Sequence, residues 1–328
     1  MAQTVRYRQL GKSDLQVPVV SFGAGPISGL MVGKDSSVQL ATIARAVDLG
    51  IDYFDTAATY GEGRSEKALG RALAELGIQD QVRIATKVRL QAHQLDNIES
   101  AVLQSFELSC QRLGVERVTL LQLHNSITKQ RGDLPTSVSV HDVLGKSGIV
   151  SALERLQAEG RIGHLGFTGL GDTASLQAVI ADGPFMSAQI PVNILLPFSG
   201  DDASAGSVDV DYLDFIQKCH DHAVGVIAIR IMAGGALVGQ SPSQHTYKTK
   251  FFTLDVFQRD CERARQLMRI LPKGLSCAAA SNRYVTETVG ASTALIGFAA
   301  PDQVDSAVAA SEQGRLDDDW LEELEVLQ

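Results

Sequence analysis

Four residues of this 328-residue chain have side chains suited to moving a proton together: Asp55, Tyr60, Lys87 and His124. Asp55 stands near the end of the β-like run IDYFDTA, and Tyr60 follows on the next loop. Lys87 lies near the end of VRIATKV, and His124 ends RVTLLQLH. A tyrosine hydroxyl has a reference pKa of about 10, too high for easy donation at neutral pH. A nearby ammonium favours the phenolate and lowers that value. A carboxylate keeps such an ammonium charged and aimed, and a histidine hydrogen-bonds a substrate carbonyl. The set suits proton delivery to an oxygen as hydride arrives at its carbon. Singly, each type has a plainer use: Asp caps turns, Tyr packs, Lys faces solvent, and His is often a satisfied structural residue. Together they occupy corresponding positions at the ends of neighbouring strand-like runs.

The elements that must position them alternate. VPVVSF precedes a helical stretch around Ser37–Leu49, IDYFDTA one around Ser65–Leu76, and VRIATKV one around Leu95–Leu113. RVTLLQLH precedes a loop and then Ile149–Glu159, and IGHLGFTG precedes Thr173–Ala181. SAQIPVNILL leads through a loop to Tyr212–His222, VGVIAIRI through another to Val256–Leu271, and TALIGFA to Gln303–Glu312. Alternating βα units imply a parallel sheet with helices outside it. Eight of them predict a closed (β/α)8 barrel, whose strand C-termini converge on one mouth. The alternative is an open doubly wound sheet with GxGxxG in its first turn. Here that turn reads Gly23-Ala24-Gly25-Pro26-Ile27-Ser28-Gly29, with the third glycine displaced and Pro26 removing a backbone N–H. Ahead of the first strand, VRYRQL-GKSD-LQVPVV reads as a β-hairpin able to plug the barrel bottom. The segments Ser126–Gly148, Pro197–Asp211 and Gln240–Thr253 are too long for simple turns and belong on the C-terminal face. Leu316, Trp320, Leu324 and Leu327 recur at helical spacing in a terminal helix, which Asp317-Asp318-Asp319 begins. No linker splits the chain, so residues 1–328 read as one domain.

Lys and Arg number 29 against 38 Asp and Glu, a net charge of −9. That sign argues against a general nucleic-acid binder or a polybasic membrane binder. No apolar run reaches the roughly 18 residues of a membrane span, and the N-terminal arginines have no apolar run behind them. Cys110, Cys219, Cys261 and Cys277 form no metal spacing and read as reduced thiols of a cytoplasmic protein. His220-Asp221-His222 falls at a helix end away from the mouth, so no metal is expected.

The segment IDYFDTAATYGEGRSEKALGRAL, with IATKV and LLQLHN at the right intervals, resembles the aldo-keto reductase superfamily. QAEGRIGHLGFTG is similar to that family's fifth-strand segment, and YRQLGKSDLQVP to its N-terminal hairpin. The likeness runs from about Tyr7 to about Ala309. It implies a (β/α)8 barrel, a nicotinamide cofactor bound extended, and the tetrad Asp55, Tyr60, Lys87 and His124. In that tetrad Tyr60 is the general acid/base, Lys87 lowers its pKa, Asp55 holds Lys87, and His124 positions the carbonyl.

The resemblance also implies a cofactor site. Thr168 and Gln189 match residues that hold the nicotinamide carboxamide, with Gly169 where the family has Asn. Strand seven departs from the family's aromatic-Ser-Pro-Leu and reads Ile229-Arg230-Ile231-Met232. Ile229 offers apolar contact only. Arg230 meets a phosphate or a carboxylate substrate, or else forms a structural ion pair with a neighbouring loop. Gly234 and Gly235 offer backbone N–H groups to a pyrophosphate or form a tight turn. Gly23, Gly297, Phe298, Ala299 and Gln303 complete the expected cofactor contacts, with the helix beginning near Pro301 presenting its N-terminus. NADP-preferring members carry Lys or Arg beside Ala299 and Ala300. None stands here, so NAD and NADP both remain open, and Arg283 is read as structural. Met31, Met232 and Phe198 line the substrate cavity or pack loops.

The function expected is reversible, NAD(P)-dependent reduction of a small aldehyde, ketone or aldose. The alternative is a nicotinamide-binding accessory protein with little turnover.

Overall fold

Period-two alternation in the apolar runs gives each strand one face toward the helices and one toward the barrel axis. The computed structural model describes residues 4–195 and 210–326. Two short strands, β1 (Tyr7–Gln9) and β2 (Gln16–Pro18), form an antiparallel hairpin. Eight further strands are β3 (Val20–Gly23), β4 (Tyr53–Asp55), β5 (Arg83–Val88), β6 (Val118–Leu123), β9 (Ile162–Thr168), β10 (Ser187–Pro191), β11 (Gly225–Ile229) and β12 (Thr293–Ile296). They close in the order β3-β4-β5-β6-β9-β10-β11-β12, every neighbour parallel. The architecture is the (β/α)8 barrel, and closure excludes the open sheet.

The outward residues, among them Phe22, Phe54, Leu121, Phe167 and Ile190, meet the helices in one large core. Inward, Tyr53, Ala85, Leu120, Ile227 and Leu295 pack on Leu10, Leu15 and Val17 of the hairpin. The hairpin therefore plugs the barrel bottom. One layer higher, the same parity turns Asp55, Lys87, Gln122 and Gln189 inward, and they are hydrogen-bonded together.

The outer helices are α1 (Ser36–Asp48), α2 (Arg64–Leu76), α3 (Ile98–Leu113), α5 (Ile149–Ala158), α6 (Thr173–Asp182), α7 (Tyr212–Asp221), α8 (Leu254–Ile270) and α10 (Pro301–Ser311). Side chains cap the starts of α1, α3, α6 and α7, whereas α2, α5, α8 and α10 begin without a side-chain cap. The Asp35 carboxylate accepts from Ser37 and Val38 N–H, and the Asp211 carboxylate accepts from Leu213 and Asp214 N–H. The sequence places the third helix from Leu95, but Asn97 caps it and a 3₁₀ turn covers Ala92–Gln94. The terminal helix, α11 (Asp318–Val326), starts where Asp317 accepts from Asp319 and Trp320 N–H. It docks through buried Trp320, Leu321 and Leu324, with buried Leu316 just ahead of it and the Trp320 indole donating to Ile270 O at 2.8 Å.

Two segments carry more structure than expected. Ser126–Gly148 holds a short parallel pair, β7 (Ile127–Thr128) and β8 (Val138–Ser139), and a one-turn helix, α4 (Val140–Leu144). Before β12 stand α9 (Cys277–Arg283) and a π-turn over Tyr284–Thr288, neither anticipated. Residues 196–209 and 327–328 lie outside the described part, and with them Phe198, Leu327 and nearly all of the Pro197–Asp211 loop. Among the described residues no helix is long and apolar enough to cross a membrane.

Candidate active site

Asp55 is the last residue of β4 and is 1% exposed. One carboxylate oxygen accepts from the Lys87 ammonium, and the other from the Gln122 and Gln189 amides at 2.9 and 2.5 Å. Lys87 also donates to Thr56 O at 2.8 Å and to the Tyr60 hydroxyl at 3.2 Å. An ammonium has three donors, and all three are used. Burial works against the charged form of Lys87, yet Asp55 and Tyr60 outweigh it, and its pKa is raised. Lys87 is therefore a cation at any working pH.

The loop after β4 turns sharply to present Tyr60. Gly61, Glu62 and Gly63 follow one another in the left-handed region, at φ 58°, 59° and 83°. At Gly63 an added Cβ would lie 2.6 Å from the Arg112 side chain, so the turn and that packing both call for glycine. Ser65 fastens the loop from behind: its hydroxyl donates to Ala24 O and shares a 2.8 Å hydrogen bond with Thr56 Oγ1. The His124 ring meets Tyr60 edge-on, with centroids 5.7 Å apart, and its Nδ1 lies 3.3 Å from Thr59 Oγ1. Burial, then the charges of Arg89, Lys87 and His245, hold the His124 pKa well below its ordinary value. The imidazole is neutral.

These groups sit on the floor of a cavity of about 730 Å³ at the C-terminal ends of the strands. Asp55, Tyr60 and His124 border it, while Lys87 lies behind Tyr60. Gly23, Thr168, Gln189, Ile229, Arg230, Gly234, Gly235, Gly297, Phe298, Ala299 and Gln303 border it too. Their environments differ from those expected. Gln189 is turned to Asp55. The Arg230 guanidinium donates to Asp260 of α8 at 3.0 Å and lies over the Phe252 ring at 4.0 Å. It is thus in an ion pair, with a helix rather than a loop. Gln303 Oε1 accepts from Ala299 N–H at 2.8 Å, and the Phe298 ring packs on Phe22. Met232 lines the cavity, whereas Met31 is in the core. Arg283 donates to Gly314 O and Arg315 O, a structural tie.

The cavity's polar wall fits a dinucleotide. Ser28 Oγ, Thr168 Oγ1 and Asn282 Oδ1 border it, buried and without a hydrogen-bond partner among the described residues. Buried polar atoms are normally paired, so these three stand ready for a ligand. Gly234 and Gly235 adopt φ 68° and 105°, opening the backbone beside them. Ser28 and Asn282 were not expected from the sequence, nor were Arg89 and His245, which also line the cavity. Arg89 was signalled by parity, two residues past Lys87 on the same strand edge. Among the described residues no group of three or more His, Cys, Asp or Glu could hold a metal ion.

Fold and cavity together define a (β/α)8 barrel protein with a ligand-sized site at its strand C-termini, largely apolar with a few polar groups. The chain belongs to the aldo/keto reductase family, whose model matches residues 20–328. It is 27% identical to L-galactose dehydrogenase of Arabidopsis thaliana, over 98% of this chain and 94% of that one. It is 26% identical to D-threo-aldose 1-dehydrogenase of a Pseudomonas species, over 71% of each. The holo form of an aldo-keto reductase from Bacillus halodurans has the same fold, with TM-score 0.73 at 22% identity over 98% of this chain and 96% of that one. Family and relatives alike mark the protein as an oxidoreductase.

Proposed function

We propose that the whole chain acts as one catalytic unit that interconverts a small aldehyde, ketone or aldose and its alcohol, with Tyr60 as general acid/base. The observation that carries this reading is the Lys87 ammonium shared between Asp55 and the Tyr60 hydroxyl at the cavity floor. Bound in the cavity, the nicotinamide supplies hydride to the carbonyl carbon or takes it back. Tyr60 gives its proton to the carbonyl oxygen as the alcohol forms and recovers it in oxidation. Lys87 steadies the negative charge left on the phenol oxygen, and Asp55 with Gln122 and Gln189 keeps Lys87 aimed. Neutral His124 donates a hydrogen bond to the same carbonyl oxygen and so fixes its angle. Thr168 Oγ1 would hold the cofactor's carboxamide, and Gly234 and Gly235 would leave room for its pyrophosphate.

The wall made by Ser276, Ala279, Ala299, Gln303, Ser306 and Ala310 carries no cation, which favours NAD(H) over NADP(H). The dehydrogenases of neutral sugars among the relatives support aldoses as one substrate class. Free Cys110, Cys219, Cys261 and Cys277 support a reducing, cytoplasmic setting.

Tyr60→Phe is the test. Turnover of aldehydes and aldoses should fall about 10²–10⁴-fold. NADH affinity, read by nicotinamide fluorescence, should change little. Full activity in the variant would remove Tyr60 from its role. Tight NADH binding by the wild type with no turnover of any carbonyl would favour an accessory role instead.

A further inference from the structure

Arg89 stands two residues beyond Lys87, so the alternation of β5 carries both side chains toward the barrel mouth. Lys87 is fully engaged there. Arg89 is not: its Nε and Nη2 both donate to a single acceptor, His124 O, at 3.3 and 2.9 Å. That clamp fixes the guanidinium and leaves Nη1 outside the contact. Among the described residues no carboxylate pairs with Arg89. Arg230, the other arginine of the cavity, is held by Asp260 and Phe252.

The surroundings of Arg89 are those of the reacting corner. Tyr60, His124 and Thr59 border the same cavity, with His245 at its exposed rim. Asp55 is the only acidic residue among the described ones that borders it, and Lys87 already neutralises that carboxylate. Burial pulls the Arg89 pKa down, as expected for a charge held in poorly hydrated surroundings. A partly buried cation that no described carboxylate meets is costly, and an anionic ligand offsets that cost. A guanidinium also meets carboxylate and phosphate oxygens with matched geometry.

We propose that Arg89 is a specificity-determining residue that binds a negatively charged substituent of the carbonyl substrate, so that anionic aldehydes and ketones are preferred over neutral ones of the same size. The proposal rests on the reading of the cavity as a carbonyl/alcohol site. It assigns to Arg89 the anion contact that the sequence pattern offered to Arg230. A carboxylate and a phosphate share the required chemistry, and matched substrates separate them.

The experiment compares succinic semialdehyde with butanal, and glycolaldehyde phosphate with glycolaldehyde, in wild type, Arg89→Gln and Arg89→Lys. Wild-type kcat/KM should favour the charged member of at least one pair by about tenfold or more, and which pair identifies the anion. Arg89→Gln should lower that charged-to-neutral ratio about 10–100-fold, chiefly through KM, and Arg89→Lys should restore part of it. A second readout needs no turnover: succinate and glycerol phosphate, added to the NADH-loaded protein, are tested as thermal stabilisers. One of them should raise Tm in wild type and not in Arg89→Gln. No charge preference in wild type, or equal losses on charged and neutral substrates in Arg89→Gln, would overturn the proposal and leave the carbonyl reading standing. If wild type turns over no carbonyl at all, the carbonyl reading fails and the Tm comparison alone decides whether Arg89 holds an anion.

Discussion

The Lys87 ammonium stands 3.2 Å from the Tyr60 hydroxyl while its side chain is completely enclosed. Structure and chemistry meet in this contact and can be separated by two substitutions. Lys87→Met strands the Asp55 carboxylate, which is buried with only amide partners left, and should cost about 3–5 kcal/mol of stability as well as activity. Tyr60→Phe removes one hydrogen bond at a half-buried position and should cost about 1 kcal/mol or less, while turnover collapses. Urea unfolding and steady-state rates measured on both proteins check the contrast. Equal stability losses would mean that the enclosed pair does not depend on its ammonium.

Thr168 offers a test in which stability and binding move in opposite directions. Its hydroxyl is buried and has no hydrogen-bond partner among the described residues. Thr168→Val removes the orphan at nearly constant volume and should leave the apoprotein as stable or up to about 1 kcal/mol more so. If that hydroxyl serves the cofactor, NADH affinity should fall about 5–30-fold, a lost hydrogen bond of about 1–2 kcal/mol. Chemical denaturation and a fluorescence titration read the two effects. A loss of stability with unchanged affinity would make Thr168 a core residue.

Strand parity made much of this legible beforehand. Period two in VRIATKV and IDYFDTA fixes which residues face the axis, and closure then brings Asp55 and Lys87 into contact. The same rule reaches Arg89, but an arginine just past a strand end also suits a solvent-facing role, and only the fold shows that none of the described carboxylates pairs with it. Gln189 was legible as a cavity residue, yet its pairing with Asp55 spans 134 positions and has no local sign. Arg230 shows the same limit, since Asp260 lies on a helix two elements ahead. The helix α9 escaped notice because CAAASNR has no apolar stripe. It is held by tertiary bonds instead, Ser281 to Ile231 O and Asn282 to Ala307 O.

His124 should make the fold sensitive to mild acid. Burial and the nearby cations depress its folded pKa, whereas the unfolded chain takes up a proton near pH 6.5. Its contribution to stability is therefore full above about pH 6.5 and declines as the pH falls toward the folded value. The decline approaches about 1.4 kcal/mol per pH unit for one proton. His245 is shifted the same way, by burial and then Arg89, so the test is a difference. The stability gap between wild type and His124→Asn, measured by urea unfolding, should narrow between about pH 7 and pH 5.5. A gap that stays constant would show that His124 takes up its proton as readily folded as unfolded.

Arg230 and Asp260 should respond to pH in a related way, with the acid as the titrating partner. Burial raises the Asp260 pKa, and Arg230 opposes that rise without cancelling it. Arg230→Met removes the opposing charge and leaves a carboxylate whose folded pKa climbs further above its unfolded value. The unfolded chain then releases the Asp260 proton more readily than the folded one, so the variant is penalised at neutral pH and relieved by acid. Its deficit against wild type should be about 3 kcal/mol near pH 7.5 and shrink toward pH 5 as Asp260 protonates. Asp260→Asn in the same background should remove most of the pH dependence, because the amide has nothing to ionise. Urea midpoints for the single and double variants at both pH values decide the matter. A deficit that is flat with pH would mean that Arg230 stabilises the loop chiefly through Phe252, whose ring it covers, and not through the acid on α8.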